Sequence, residues 1–598
     1  MGAGARSPRG ARRPGRDRPR RPAATRGLRR RIPAPRLRCG RFSLEVPVST
    51  QPLPDLVPQH LRRLWSEEGI YPGAAVFDLF LGKAAVQPDQ PAVFDDDGVT
   101  NYSQLREKAL RLAAGLRGLG VRAGEVVACQ LPNSALACAV ELATAALGAT
   151  VLPFPTGRGH RDVLSLLRRS GAVVTVIPAR YGDVDLAATM AELRPELPHL
   201  RHVVVHGAEA PTTVDELLAT EPADLDDLPS PDPDTAVRYL VSSGTESEPK
   251  IVAYSHNALI GGRGQFLKRL QRPGRPMRAM FLIPLGSSFG SCCTFGVLCA
   301  LGGSLVLQRK FDPVQALRAI GEHRPTHLAG VPTMFQRMIG SPEFAGTDTS
   351  SLQALITGGS LIDPQTVDRC VADFGCTLIN LYGSADGVNC HNGLDDPPHA
   401  AKTTVGVPNP SVCSIRIVDD SGADLPPGEV GEVLARGPMS PMCYVNAPEL
   451  NERYRTPDGW ARTGDLGVID PVGRLRLSGR KRDIIIRGGS NISPAQVEGV
   501  IAAHPSVLSV ACVPVPCPDL GQRIAACLVA VPGAAVPDVA ELAEFLRVQG
   551  LEPRKFPEVL LEMDAFPLTP AGKVDKRALA QQATEVFTAT RGDEPARV

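Results

Sequence analysis

The sequence predicts an α/β protein in which a large N-terminal domain of parallel-rich sheets with flanking helices precedes a small, mobile C-terminal α+β domain. Three observations predict it. Helix and strand patterns alternate from Phe77 onward, the strand candidates are short apolar runs of the kind a parallel sheet buries on both faces, and the pattern changes after about Gly479. Along the chain, Ser103 suits a helix cap, Leu105, Ala109, Leu112 and Leu116 recur at spacings of three and four, and Gly120 suits a stop. Val126 to Leu131 reads as a buried strand, residues 134–147 as a helix, and Thr150 to Pro153, Val173 to Ile177, His202 to Val205 and Tyr239 to Val241 as further strands. Glu221 to Thr235, rich in Pro and Asp, reads as a loop. Beyond Gly479 come strands at Asp483 to Ile486, Val507 to Val513 and Ile524 to Val531, and a helix from Val536 to Gly550 with Leu542, Phe545 and Leu546 on one face. The expected organisation is an Arg-rich extension over 1–42, a first domain over 43–481, a second over 482–585 and a tail over 586–598.

The net charge of +2 conceals an asymmetry: residues 1–42 hold fifteen Arg against one acid, Asp17, so the remainder carries −12. The head reads as an unordered extension with too little apolar surface to fold, while a nucleic-acid arm and a transit peptide stay open. An acidic body argues against nucleic acid as the main partner, because duplex binding needs a positive face. No apolar run reaches 18 residues, which speaks against a membrane-spanning chain. Fourteen cysteines without a CxxC pair match neither zinc spacing nor a small disulfide framework, so buried reduced thiols in a cytoplasmic protein are expected.

Chemistry is concentrated in the loops. Ser242-Ser243-Gly244-Thr245-Glu246-Ser247-Glu248-Pro249-Lys250 directly follows a strand candidate and supplies hydroxyls, Gly-freed amides and a terminal Lys, which is what a phosphate-gripping loop requires. It is not a Walker loop, since Pro249 and Ile251 replace the second Gly and the hydroxyl. Four more loops follow: Asn380-Leu381-Tyr382-Gly383-Ser384-Ala385-Asp386, then Arg462-Thr463-Gly464-Asp465, then Gly479-Arg480-Lys481-Arg482-Asp483 with Gly488-Gly489-Ser490-Asn491-Ile492, and Pro567-Leu568-Thr569-Pro570-Ala571-Gly572-Lys573. In this order and spacing the loops resemble the adenylate-forming superfamily of acyl-CoA synthetases, nonribosomal adenylation domains and luciferases, over about residues 70–580. Ala385, Leu394-Asp395-Asp396-Pro397, Phe374-Gly375-Cys376-Thr377-Leu378 and Pro570-Ala571-Gly572-Lys573-Val574 are similar to stand-alone aryl-acid ligases such as 2,3-dihydroxybenzoate-AMP ligase.

The resemblance implies a two-step reaction: a carboxylate attacks the α-phosphorus of ATP to give an acyl-adenylate and pyrophosphate, and a thiol then displaces AMP. It assigns the transition-state cation to Lys573 and the β- and γ-phosphates to Ser243, Gly244, Thr245 and Lys250. Tyr382 with Gly383 would stack on adenine, Gly358, Gly359 and Ser360 would line the base, Asp465 would take the ribose hydroxyls with Arg480 nearby, and Asp386 would hold Mg²⁺. Arg482 is the expected hinge, and Gly488 and Gly489 the expected channel for the pantetheine arm of CoA or of a separate carrier protein. Asp386 stands where the family has Glu, and Glu246 and Ser247 where it usually has Thr-Gly.

Gly286, Ser287, Ser288 and Phe289 align with the acid-binding segment. No carboxylate occurs from Phe281 to Phe311, so an α-amino acid is not expected. Ser287 and Ser288 stand where dihydroxybenzoate enzymes show His-Asn, and with Gly290, Cys292 and Cys293 they suggest a slot widened for a substituted or bicyclic aromatic acid, unless these small residues serve tight packing. An aliphatic acyl-CoA synthetase and a non-catalytic nucleotide- or acid-binding relative are the alternatives to an aryl-acid ligase.

Overall fold

Two large mixed sheets, parallel over most of their width, carry the N-terminal part of the chain. The computed structural model describes residues 53–242, 249–359, 362, 364–487, 490–517, 520–569 and 573–591. The expected extension over 1–42, Ser243, Gly244, Thr245, Ser360, Gly488 and Gly489 lie outside the described residues.

The first sheet has eight strands in the order Asn389–His391, Thr377–Gly383, Ala354–Gly358, His327–Gly330, Arg278–Phe281, Ser304–Leu307, Pro91–Asp95 and Gly98–Asn101. Its six middle strands pair in parallel and only the two outer pairs are antiparallel. The second sheet has seven strands, from Cys443–Tyr444 through Ile251–Ser255, Ala236–Val241, Thr150–Pro153, Val126–Cys129 and Val174–Pro178 to His202–His206. Helices Val76–Val86, Tyr102–Gly118, Ala135–Ala146 and the π-type helix Cys293–Leu301 share a single apolar core with strands of both sheets. The strands are buried on both faces, as at Val126–Cys129 and Ala354–Gly358, so apolar runs without alternation were the right signal.

A four-stranded antiparallel sheet, Ser414–Val418, Gly431–Arg436, Ala461–Ile469 and Leu475–Arg480, follows. The C-terminal α+β part has its own five-stranded sheet, formed by Ser490–Ile492, Ile485–Arg487, Gly521–Ala530, Val507–Cys517 and Val559–Glu562, and two apolar cores of its own. No helix among the described residues is long and apolar enough to cross a membrane.

Several boundaries differ from expectation. The helix expected to start at Ser103 is capped two residues earlier by Asn101, whose side chain accepts from the Gln104 amide while the Gln104 side chain accepts from the Asn101 amide. The strand expected from Asp483 starts at Ile485, because Lys481–Asp483 forms a short 3₁₀ turn. Helix Lys576–Arg591 continues past the expected boundary at 585. All of the described cysteines but Cys376 are buried.

One ion pair crosses the large core: Arg238 Nη1 donates to Glu141 Oε2 at 2.6 Å, with both side chains 1% exposed. The same guanidinium donates to the Leu285 carbonyl at 2.8 Å and so fixes the chain just before Gly286. Removing one partner of such a pair strands a buried charge and costs about 3–5 kcal/mol, whereas replacing both by apolar groups is close to neutral. Glu141→Gln is therefore expected to lower the thermal unfolding midpoint clearly, and the Glu141→Leu, Arg238→Met double variant to recover most of that loss.

Candidate active site

The candidate residues converge because three parallel strands of the eight-stranded sheet end on the same edge. Arg278–Phe281 leads into the segment 284–290, Ala354–Gly358 into Gly359, and Thr377–Gly383 into Ser384-Ala385-Asp386. Ligand sites of open parallel sheets form at this carboxyl edge. Gly358 has no room for a side chain, since a Cβ there would lie 2.5 Å from the Leu381 carbonyl oxygen of the neighbouring strand. Gly359 adopts φ +86°, a conformation that disfavours any side chain.

Asp465 and Arg480 are opposite residues on paired strands of the four-stranded sheet, which sets their contact: Arg480 Nε lies 2.9 Å from Asp465 Oδ1. The other carboxylate oxygen accepts from the Tyr382 hydroxyl at 2.6 Å. The Asp465 amide donates to Thr463 Oγ1, which donates to the Val433 carbonyl, so the turn is fixed from below. Asp465 and Tyr382 are each 8% exposed. Burial and the adjacent carboxylate hold the Tyr382 phenol well above its usual pKa, and it remains a donor.

Lys573, on the C-terminal part, meets this group. A Cβ on Gly359 would lie 3.3 Å from Lys573 Cε, and Arg480 and Asp465 are close enough to act on its charge. Burial first and Arg480 second push the Lys573 ammonium below the usual lysine pKa, with Asp465 opposing.

The phosphate-loop lysine, Lys250, is 9% exposed and lies 3.8 Å from the centroid of the Tyr454 ring and 5.7 Å from that of Tyr444. The Tyr444 hydroxyl donates to Asp386 Oδ1, so one tyrosine joins the lysine to the expected metal ligand. Arg455 donates to the Asp386 carbonyl at 3.4 Å. Arg263 donates to the carbonyls of Ser384 at 3.3 Å and Ser288 at 3.2 Å and to the Tyr254 hydroxyl at 3.2 Å, while Tyr254 donates to the Ala385 carbonyl at 2.8 Å. Tyr254, Arg263, Tyr444, Tyr454 and Arg455 were absent from the sequence reading.

The acid segment differs from expectation in part. Ser287 Oγ donates to the Pro284 carbonyl at 2.7 Å and accepts from the Gly290 amide at 3.0 Å, so its hydroxyl closes a turn. A Cβ on Gly286 would meet the Phe154 backbone at 2.7 Å and one on Gly290 the Pro284 carbonyl at 2.1 Å. Close backbone packing accounts for both glycines, and a widened slot is not needed to explain them. Ser288 and Phe289 are half-buried, with Phe289 set edge-on to Phe281. Arg482 lies in the 3₁₀ turn Lys481–Asp483, where Lys481 Nζ reaches Asp420 at 2.8 Å and Glu432 at 3.4 Å on the four-stranded sheet.

With this geometry in place, comparison with known proteins is decisive. The family model for AMP-binding enzymes matches residues 80–445, and that for the AMP-binding enzyme C-terminal domain matches residues 496–573. The chain belongs to the AMP-binding enzyme family. It is 32% identical over 543 residues to 2-hydroxy-7-methoxy-5-methyl-1-naphthoate–CoA ligase of Streptomyces carzinostaticus, covering 88% of this chain and 96% of that protein. To 2,3-dihydroxybenzoate-AMP ligase of Bacillus subtilis it is 32% identical over 539 residues, covering 89% and 98%. The crystal structure of ATP-bound MatB from Rhodopseudomonas palustris superposes with a TM-score of 0.77 at 26% identity, covering 86% of this AMP-binding enzyme and all of that chain.

The depressed pKa of Lys573 has a direct readout. The pH midpoint for modification of Lys573 by an amine-reactive reagent, followed by peptide mass spectrometry, is expected below that of an ordinary lysine. Arg480→Met should move it upward by removing a like charge, though not to the ordinary value, because burial persists.

Proposed function

We propose that this AMP-binding enzyme activates an aromatic carboxylic acid with ATP and passes the acyl group to a thiol, CoA or the phosphopantetheine of a carrier protein, in secondary metabolism. The observation that carries the reading is the meeting of Lys573 with Gly359, Arg480 and Asp465, in a chain that matches both family models and is 32% identical to aryl-acid ligases along most of its length.

In the first half-reaction a carboxylate oxygen bonds to the α-phosphorus of ATP while the bond from that phosphorus to the bridging oxygen breaks and pyrophosphate leaves. Two anions must approach, and Lys573 is the cation poised to offset the charge that develops between them. Tyr382 offers its ring to adenine, backed by Gly383, and Gly358 and Gly359 let the base approach the backbone. Asp465, already oriented by Tyr382 and Arg480, accepts from the ribose hydroxyls. Lys250 holds the outer phosphates together with Ser243, Gly244 and Thr245. Asp386 is a hard oxygen donor that Tyr444 keeps in place, a fit for an ion that takes one carboxylate and draws its remaining ligands from phosphate and water. Mg²⁺ bound there would neutralise phosphate charge.

In the second half-reaction the thiol sulfur bonds to the acyl carbon, AMP leaves with the electrons of the broken bond, and the thiol proton is released. Lys573 is not required for this step. The turn at Arg482 is the pivot by which the C-terminal part withdraws Lys573 and presents Gly488 and Gly489 to the arm of the thiol.

Lys573→Ala is expected to cut acid-dependent pyrophosphate release about 100- to 1000-fold while leaving thioester formation from supplied acyl-adenylate much less affected. Equal loss in both assays refutes the division of labour. Ser288→Trp is expected to raise the KM for the best aromatic acid of a screened panel without changing that for ATP. Turnover with fatty acids and with no aromatic acid would reject the aryl reading.

A further inference from the structure

Four arginines among the described residues are less than one-tenth exposed: Arg62, Arg238, Arg263 and Arg455. Two of them have acids beside them and lie away from the 384–386 loop. Arg62 pairs with Asp55 at 2.6 Å and Asp234 at 2.8 Å, and Arg238 with Glu141 at 2.6 Å. Arg263 and Arg455 have no carboxylate within salt-bridge distance among the described residues, and both donate to carbonyls of the Ser384-Ala385-Asp386 loop. A buried cation without a counter-charge is a standing cost that an anion would offset.

Of these two, Arg263 is the better placed to meet the acid. It is 6% exposed, and its three contacts are all with uncharged groups at 3.2–3.3 Å: the carbonyls of Ser288 and Ser384, and the Tyr254 hydroxyl. Its Nε is buried with no partner. The Cys292 thiol beside it is pushed up by burial and stays neutral, and the segment from Phe281 to Phe311 contains no acid. The side chain thus bridges the acid segment and the adenylation loop, where the ring and the reacting bond would meet. Its backbone is held in place, because a Cβ on Gly262 would lie 2.2 Å from Met439 Cα and one on Gly261 2.7 Å from the Ile70 carbonyl oxygen.

The carboxylate that is activated is a poor match for this cation. It loses its charge on becoming an acyl-phosphate anhydride, so a guanidinium paired to it would be stranded again for the rest of the cycle, and pairing would also blunt its attack on phosphorus. A second anion on the ring keeps its charge through both half-reactions.

Resting on the aryl-acid reading above, we infer that Arg263 is a specificity-determining residue that pairs with a second anionic oxygen group of the acid, a ring carboxylate or phenolate. The acids taken up are therefore aromatic acids with two acidic groups.

The test compares matched pairs of acids, each an aryl acid with and without a second carboxyl or an acidified hydroxyl, by pyrophosphate release at saturating ATP. The wild type is expected to favour the doubly acidic member at least about tenfold in kcat/KM, because a site built to bind a polar group rejects the analogue that lacks it. Arg263→Gln should bring that ratio close to one, chiefly through KM, and Arg263→Lys should restore part of it. A wild type without the preference, or a preference unchanged in either variant, overturns the inference. So does an equal loss for both members of each pair with a lowered melting temperature, which would make Arg263 a tie between two carbonyls only. If Arg263→Gln does not fold, the wild-type ratio and Arg263→Lys decide. If no aromatic acid releases pyrophosphate, the adenylation reading fails by itself, and calorimetric binding of the same pairs to wild type and Arg263→Lys decides on Arg263.

Discussion

Asp465 is the point on which the site depends. Its carboxylate is nearly buried, and it is stable there because two donors from different parts of the fold reach it: Tyr382 from the end of a parallel strand and Arg480 from the opposite position of an antiparallel pair. A buried carboxylate needs hydrogen bonds and a counter-charge. Satisfying Asp465 therefore locks the eight-stranded sheet to the four-stranded one, and the field it shares with Arg480 is what Lys573 meets on the C-terminal part. The orientation of the Tyr382 hydroxyl and part of the field at Lys573 both depend on this one ion pair.

The loops were legible in the sequence because their chemistry is local. Gly, hydroxyl and charged residues at fixed offsets after a strand leave few other readings, and Thr150–Pro153 matched its expected bounds because an apolar run between turn residues is self-contained. The Asn101 cap was also legible, since Asn-x-x-Gln is a capping signal, and Ser103 was the poorer choice. Arg263 was not. It lies 121 positions from Ser384, and its buried guanidinium has no carboxylate within salt-bridge distance among the described residues, which is a property of the fold alone. Tyr254 and Tyr444 read as ordinary strand aromatics, and nothing in their neighbours' spacing shows that their hydroxyls reach the 385–386 loop. Ser287 misled for a related reason: a small polar residue in a binding segment looks like a ligand contact until its hydroxyl is found closing a turn.

The cationic groups around the 384–386 loop are held apart by neutral side chains. Tyr254 links Arg263 to the Ala385 carbonyl, and Tyr444, whose hydroxyl reaches Asp386, lies with Tyr454 beside Lys250. A ring face stabilises a cation without neutralising it. The close backbone packing of Gly286 and Gly290 fixes the segment whose Ser288 carbonyl Arg263 holds.

Asp386 shows how a shortened side chain is accommodated. With one methylene fewer than the Glu that the resemblance leads one to expect, its carboxylate sits closer to its own backbone, and the Tyr444 hydroxyl reaches it from the edge of the seven-stranded sheet. That hydrogen bond fixes the orientation of one carboxylate oxygen. Tyr444 also lies near Lys250 and Arg455, at 5.7 and 5.8 Å from its ring, so one tyrosine touches Asp386 and two cations. Asp386 is therefore positioned both by its own loop and by a tyrosine on a different sheet.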